Sequence, residues 1–310
     1  MNTFNRVERT QPQEVAASER SGSIRPVIGG LFLGTALAVV WSFEFVDDTI
    51  GDNVANTVLG HDAGNTAIAS STAGALFALV IGLAGTFTAC NIAVFGALPQ
   101  VAVGSGERRG RLGAMAIALG YLVFGMLTVS ATYGVIAVLA GDRIPQLSNR
   151  VTAGGVPERL LQSAVVFGVV GLAFAYLGLA SLRLVPDVFA GRPRARLWTI
   201  GALIGGFLVG RPYPLFQQLA EYAVERHNPL YGAVTFALQS LGNVLVVAVI
   251  AVLLAASVRW ASVRWLLADD RAAEVAGVAL LTLGTFLVMY WDIRLPAMFG
   301  YGWFPIMPWN

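Results

Sequence analysis

Polar residues along this chain fall in short stretches between long apolar runs. A bilayer-crossing helix needs about 20 predominantly apolar residues. Seven runs meet or approach that length: Val27–Val46, Thr72–Val103, Leu112–Leu139, Leu160–Leu182, Trp198–Ala223, Gly232–Ala256 and Val275–Trp291. The second is about ten residues too long for one straight span, which predicts a bend, a break or a strong tilt. The first lacks the early basic segment and small-residue cleavage site of a signal peptide. Residues 1–24 are rich in Ser, Gln, Glu and Arg. They have nothing to bury and read as a disordered tail.

Composition supports the membrane reading. Hydrophobic residues make up 56% of the 310 positions and charged residues 12%, about half the roughly 25% charge of a soluble domain. Mean hydropathy is +0.69. A net charge of +2 without a clustered basic face gives no argument for nucleic acid. The single cysteine, Cys90, excludes an intrachain disulfide framework and a multi-cysteine metal site. No metal or other cofactor is expected.

Every basic residue is an arginine, and their distribution orients the chain. Arg6, Arg9, Arg20 and Arg25 lie in the tail. Further arginines follow span two (Arg108, Arg109, Arg111), span four (Arg192, Arg194, Arg196) and span six (Arg259, Arg264, Arg271). The opposite side holds Arg143, Arg150, Arg159, Arg226 and Arg294. Thirteen against five places the N-terminus in the cytoplasm and the C-terminus outside. The loop after span one, read as running from Asp47 to Ser71, carries Asp47, Asp48, Asp52 and Asp62 and no arginine.

The chain also resembles itself. Gly85–Asn91 reads GTFTACN, and 120 residues on Gly205–Arg211 reads GGFLVGR; Cys90 falls on Gly210. Gly113–Leu119 reads GAMAIAL and Gly232–Leu238 reads GAVTFAL, at an offset of 119, with Leu122 then matching Leu241. Spans two to four and five to seven thus form two three-helix units. Because three is odd, the second unit enters from the opposite side, as in the inverted repeats of transporters. The predicted architecture is all-α and integral to the inner membrane. It comprises an extra N-terminal helix (25–47), a first repeat (72–184), a second repeat (198–292) and an external aromatic tail (293–310).

Two segments within the repeats carry the candidate chemistry. Span two has Cys90 and Asn91 near its middle, then Pro99. Span five has Gly210, Arg211, Pro212, Tyr213 and Pro214 about midway along an apolar run. Two prolines within three residues remove two backbone donors and steer their predecessors out of helical geometry, so the helix breaks there. The freed carbonyls require protein partners or a water-filled cavity. Arg211 is fully ionised, and a charge at that depth costs ~2.5–3.5 kcal/mol on insertion scales. It must face a partner or cavity. Glu221 is about 15 Å further along a helix, which leaves carbonyls of span two, Gln239 and Asn243 as candidate acceptors. Arg211 either fixes the two half-helices against each other or serves a substrate or ion.

These motifs resemble the transmembrane proteins of cytochrome c biogenesis and disulfide-reductant transfer, the CcdA/DsbD type. The resemblance covers about residues 72–292, with ACNIAVFGALP as the first cysteine motif and GRPYPLF as the second. It implies two inverted three-helix repeats, each opening with a broken helix, and two electrons carried by a disulfide between the repeats. Cys90 is the one residue that carries over as a redox group. Its counterpart Gly210 has no thiol, so a relay would need a partner thiol in a mixed disulfide.

Three functions follow as expectations. The first is a divergent thiol-redox relative with Cys90 as the reactive group. The second is a small-solute or ion transporter whose midplane site is lined by Asn91, Gly210, Arg211, Pro212, Tyr213, Pro214, Gln217, Gln239 and Asn243. The third is a non-catalytic subunit of a larger membrane complex. The charge-free tail Phe299–Asn310 is then expected to lie on the outer interface or on that partner. The only histidines, His61 and His227, fall in external loops. They read as solvated rather than as an open metal site. The basic-aromatic repeat SVRWASVRW suits the headgroup layer. No Walker loop, dinucleotide fingerprint, HExxH or nucleophile elbow is present, so an enzyme with its chemistry in soluble loops is not expected.

Overall fold

The computed structural model describes residues 24–87, 108–148, 150–256, 269–305 and 307–309. Cys90, Asn91, the basic-aromatic segment at 257–265 and the tail before residue 24 lie outside them. Among the described residues the regular structure is helical, apart from one isolated bridge between Val151 and Pro157. The helices are α1 (Ile24–Val40), α2 (Asp52–Leu59), α3 (Ser71–Ala84), α4 (Arg108–Ala140), α5 (Glu158–Ser181), α6 (Pro193–Gly210), α7 (Pro214–Glu225), α8 (Pro229–Ala256), α9 (Asp269–Leu287) and α10 (Leu295–Met298). Two π-helical turns, Phe45–Gly51 and Val288–Arg294, lead into α2 and α10.

Among the described residues, four helical stretches, 113–143, 158–181, 229–246 and 271–298, are long and apolar enough to cross a bilayer. A fifth is available if α1 and the helix at 45–59 count as one span bent by 81°. The apolar runs at 72–103 and 198–223 stand outside this set: only part of the first is described, and the second is divided between α6 and α7.

Local chemistry fixes the helix starts. Ser70 Oγ accepts from the Ala73 amide (3.1 Å) at the start of α3. Asn228 Oδ1 accepts from Leu230 and Tyr231 (3.0 and 3.2 Å) at the start of α8. Each thereby satisfies amides that the first helical turn leaves unpaired. Proline opens α6 and α7, where a missing N–H costs nothing.

One expectation changes here. The segment after the first apolar run is not simply a loop, because residues 45–59 are helical and turn back against the other helices. Ala55 and Asp47 are both buried. An acidic stretch with apolar residues at Val46, Ile50, Val54 and Ala55 can pack when its carboxylates find partners.

Helix α4 lies between α6 and α8; α3 packs along α8, α5 along α9 and α1 along α9. Glycines set the close approaches. A Cβ on Gly82 would overlap the Gln239 carbonyl, and one on Gly242 the Leu79 carbonyl and Leu83 amide. The same pattern recurs at Gly201 against Leu122, and at Gly125 against Trp198 and Ala202. In the α5–α9 pair, Gly171 meets the Gly284 backbone and Gly178 that of Gly277. Where water exclusion drives no association, such backbone proximity supplies dispersion contacts between helices.

Candidate functional site

The site is built on the break between α6 and α7. Arg211 (φ −76°, ψ 128°) and Tyr213 (φ −88°, ψ 129°) are extended, as the flanking prolines require. Neighbouring side chains satisfy the carbonyls this frees: Ser163 Oγ donates to the Gly210 carbonyl and Gln146 Nε2 to that of Arg211, both at 2.7 Å. Gln217 Nε2 donates to the Gln146 carbonyl (3.1 Å), and Arg159 reaches Gln217 Oε1 at 3.4 Å. Gln217 therefore belongs to the support beneath the break rather than to the cluster around Arg211. Pro214 starts α7 and leaves Tyr213 as its cap residue.

Arg211 is 6% exposed and forms an ion pair with Asp47, which is 1% exposed. Its guanidinium also sits over the Tyr213 ring, 4.6 Å from the centroid, and Tyr213 donates its hydroxyl proton to Asp52 Oδ1 at 3.0 Å. Two side chains of the break thus grip the folded-back segment. On the other side, a Cβ added at Gly85 would lie 3.5 Å from Arg211 Nη1 and 3.8 Å from Asn243 Oδ1. The glycine is the gap across which Arg211 and Asn243 face each other. Gln239 is one helical turn before Asn243, and both are buried.

The cluster is polar but incompletely paired. Asp47 Oδ2, Gln239 Oε1 and both amide atoms of Asn243 have no hydrogen-bond partner among the described residues. Buried polar atoms are paired in the great majority of native structures, so these groups have hydrogen-bonding capacity beyond what the described residues supply. Beside the ion pair is a cavity of about 20 Å³, walled by Trp41, Phe43, Phe207, Tyr290 and Trp291. That is room for about one water molecule.

A second buried cation, Arg294, lies behind Tyr290. Arg294 donates from Nη1 to the Ala38 and Trp41 carbonyls at 2.8 Å each, and lies 4.7 Å from the Tyr290 ring centroid. It satisfies carbonyls at the end of α1, where the chain bends toward Asp47.

The structure therefore brings together Gly210, Arg211, Pro212, Tyr213 and Pro214 at the break, with Asn243 and Gln239 alongside. Cys90 and Asn91 lie outside the described residues. Gly210 itself is packed: a Cβ there would sit 2.8 Å from Val166 Cγ1. Sequence reasoning missed Asp47, Ser163, Gln146 and Arg294. The only signal for Asp47 was its place at the head of an acidic stretch just after an apolar run.

The two histidines make local contacts, His61 Nδ1 to the Asp62 carbonyl (3.2 Å) and His227 Nδ1 to the Glu225 carbonyl (2.7 Å). Among the described residues, no three His, Cys, Asp or Glu side chains group to hold a metal. In the C-terminal tail, Trp309 Nε1 donates to the Val40 carbonyl (3.1 Å) and Tyr301 to that of Gly154 (2.8 Å), so part of the tail covers its own chain. Comparison with protein-family models, curated proteins and solved structures finds no match.

Proposed function

We propose that this chain is a polytopic membrane carrier for a small anion, with seven spans, a cytoplasmic N-terminus and an inverted-repeat scaffold of CcdA/DsbD type. The observation that carries the reading is the buried Arg211–Asp47 pair at a helix break, beside polar atoms of Gln239 and Asn243 that have no partner among the described residues. Arg211 is a permanent cation, and the carboxylate against it has the chemistry of the expected cargo. An incoming anion displaces Asp47, takes the guanidinium and borrows the Asn243 side-chain N–H as an additional donor. Segment 41–51 is released in the same step. The cavity of about 20 Å³ beside the pair takes about one water, and in this reading the arrangement is a closed state of the carrier.

The glycine contacts support the inverted repeat. Leu79, Gly82 and Leu83 correspond to Trp198, Gly201 and Ala202 at an offset of 119; in these contacts Leu122 and Gly125 correspond to Gln239 and Gly242 at 117, two residues short of the Leu122–Leu241 match in sequence. Exchange of the two units maps one set of contacts onto the other. The Gly171–Gly284 and Gly178–Gly277 pairs behave likewise.

The same scaffold is proposed here to move a solute rather than electrons. A relay needs two sulfurs whose Cα atoms lie roughly 4.4–6.8 Å apart, whereas the chain has one cysteine and Val166 fills the side-chain space at Gly210.

The test is flux in proteoliposomes challenged with chloride, formate, acetate and phosphate. At least one anion is expected to exchange, with Arg211→Gln reducing the rate at least tenfold and Cys90→Ser leaving it unchanged. No exchange of any of the four, or an unaltered rate in Arg211→Gln, overturns the carrier reading.

A further inference from the structure

A second cavity lies at the opposite end of α6 from the break, where the starts of α4 and α6 meet the turn after α5. It measures about 550 Å³, far beyond the single-water space beside Arg211. Its floor is apolar, with Ala114, Ala118, Leu197 and Ile200, and Ile117 at its edge is 59% exposed.

Its rim is charged. Asp187 is already neutralised, pairing with Arg196 at 3.3 Å and accepting from the Phe189 amide at 2.9 Å. Arg196 also binds Ser181 and the Leu177 carbonyl, which staples α6 to the end of α5; its buried Nε–H still lacks an acceptor among the described residues. Arg194 is exposed, stands over the Tyr121 ring at 5.7 Å from the centroid, and forms no ion pair among the described residues. The rim thus carries one guanidinium without an ion-pair partner among the described residues, above an apolar trough.

We propose that this cavity is a binding site for an anionic phospholipid of the surrounding bilayer. The phosphate sits against Arg194, and the proximal acyl chain lies along Ala114, Ile117 and Leu197. Basic pockets between membrane helices recognise lipid headgroups by this combination of charge and apolar contact. Tyr121 orients the guanidinium through its ring face.

Native mass spectrometry of the detergent-purified full chain tests this, titrating phosphatidylglycerol, phosphatidylcholine and inorganic phosphate. The expected result is retention of phosphatidylglycerol over phosphatidylcholine. Arg194→Gln should weaken the phosphatidylglycerol adduct about fivefold, the effect of removing one cation at a lipid surface. Ala114→Trp should displace both lipids by filling the trough without changing charge. Equal retention of the two lipids, unchanged binding in Arg194→Gln, or saturation by inorganic phosphate without a lipid adduct overturns the proposal. Arg194 is exposed and Ala114 half-buried, so these substitutions leave the core intact.

Discussion

At the scale of single residues, the buried cations do different jobs. Arg294 donates to two carbonyls at the end of α1, those of Ala38 and Trp41. Hydrogen bonds to a charged donor contribute roughly 1.5–3 kcal/mol each. Arg294→Gln is therefore expected to cost about 3 kcal/mol and to speed amide exchange in the 38–46 segment, measured by hydrogen–deuterium exchange. Asp62 acts at the exposed surface. It accepts from the Asn65 side chain and from the Gly64 and Asn65 amides, and these bonds hold its carboxyl below its ordinary value. Because the folded pKa is depressed, this ordering is present above the ordinary carboxylate range and is lost as pH falls through the lowered value. Amide protection at residues 64 and 65 is expected to fall on acidification below that range, and Asp62→Asn to abolish the pH dependence. Protection that is flat with pH in the wild type would contradict it. The break itself was legible in Pro212 and Pro214, and so was the need of Arg211 for a partner. Asp47 was not, because an acid next to other acids after an apolar run looks solvated.

At the scale of elements, close helix contacts depend on glycines that tolerate no substitution. Gly82, Gly125, Gly201 and Gly242 each face backbone atoms of the opposing helix, which cannot swing aside as a flexible side chain does. Overpacking of ordinary core sites costs about 1–3 kcal/mol. Gly82→Ala and Gly201→Ala are expected to reach or exceed the upper end of that range, read as a lowered unfolding midpoint in detergent. Gly206→Ala is the control, since its nearest neighbour would be at 3.7 Å, and it should be near neutral. Helix identity was readable from apolar run length, but which helices meet was not. A helix in lipid is apolar on both its protein face and its lipid face, so the one-sided stripe that reports packing in a soluble protein is lost. The bent helical segment at 45–59 was missed for the complementary reason: it is too polar to read as a span and too short to stand out.

At the scale of the whole molecule, the arginine asymmetry makes a topological prediction. In a Cys90→Ser background, a cysteine at Asn65 or Gly154 is expected to react with an impermeant thiol reagent added to intact cells. A cysteine at Gly191 is expected to react only after permeabilisation. Labelling of all three from outside would contradict the orientation. The larger claim is that the folded-back segment closes the broken helix through Asp47 and Arg211, charges 164 positions apart in sequence that the fold brings into contact. Removing one partner of a buried pair costs about 3–5 kcal/mol because it strands the other. The most direct measurement is a double-mutant cycle on the unfolding free energy in detergent, using Asp47→Asn, Arg211→Gln and the two together. The account predicts that each single change is strongly destabilising and that the double variant loses less than the two combined, by about 1 kcal/mol or more. Strict additivity would contradict it.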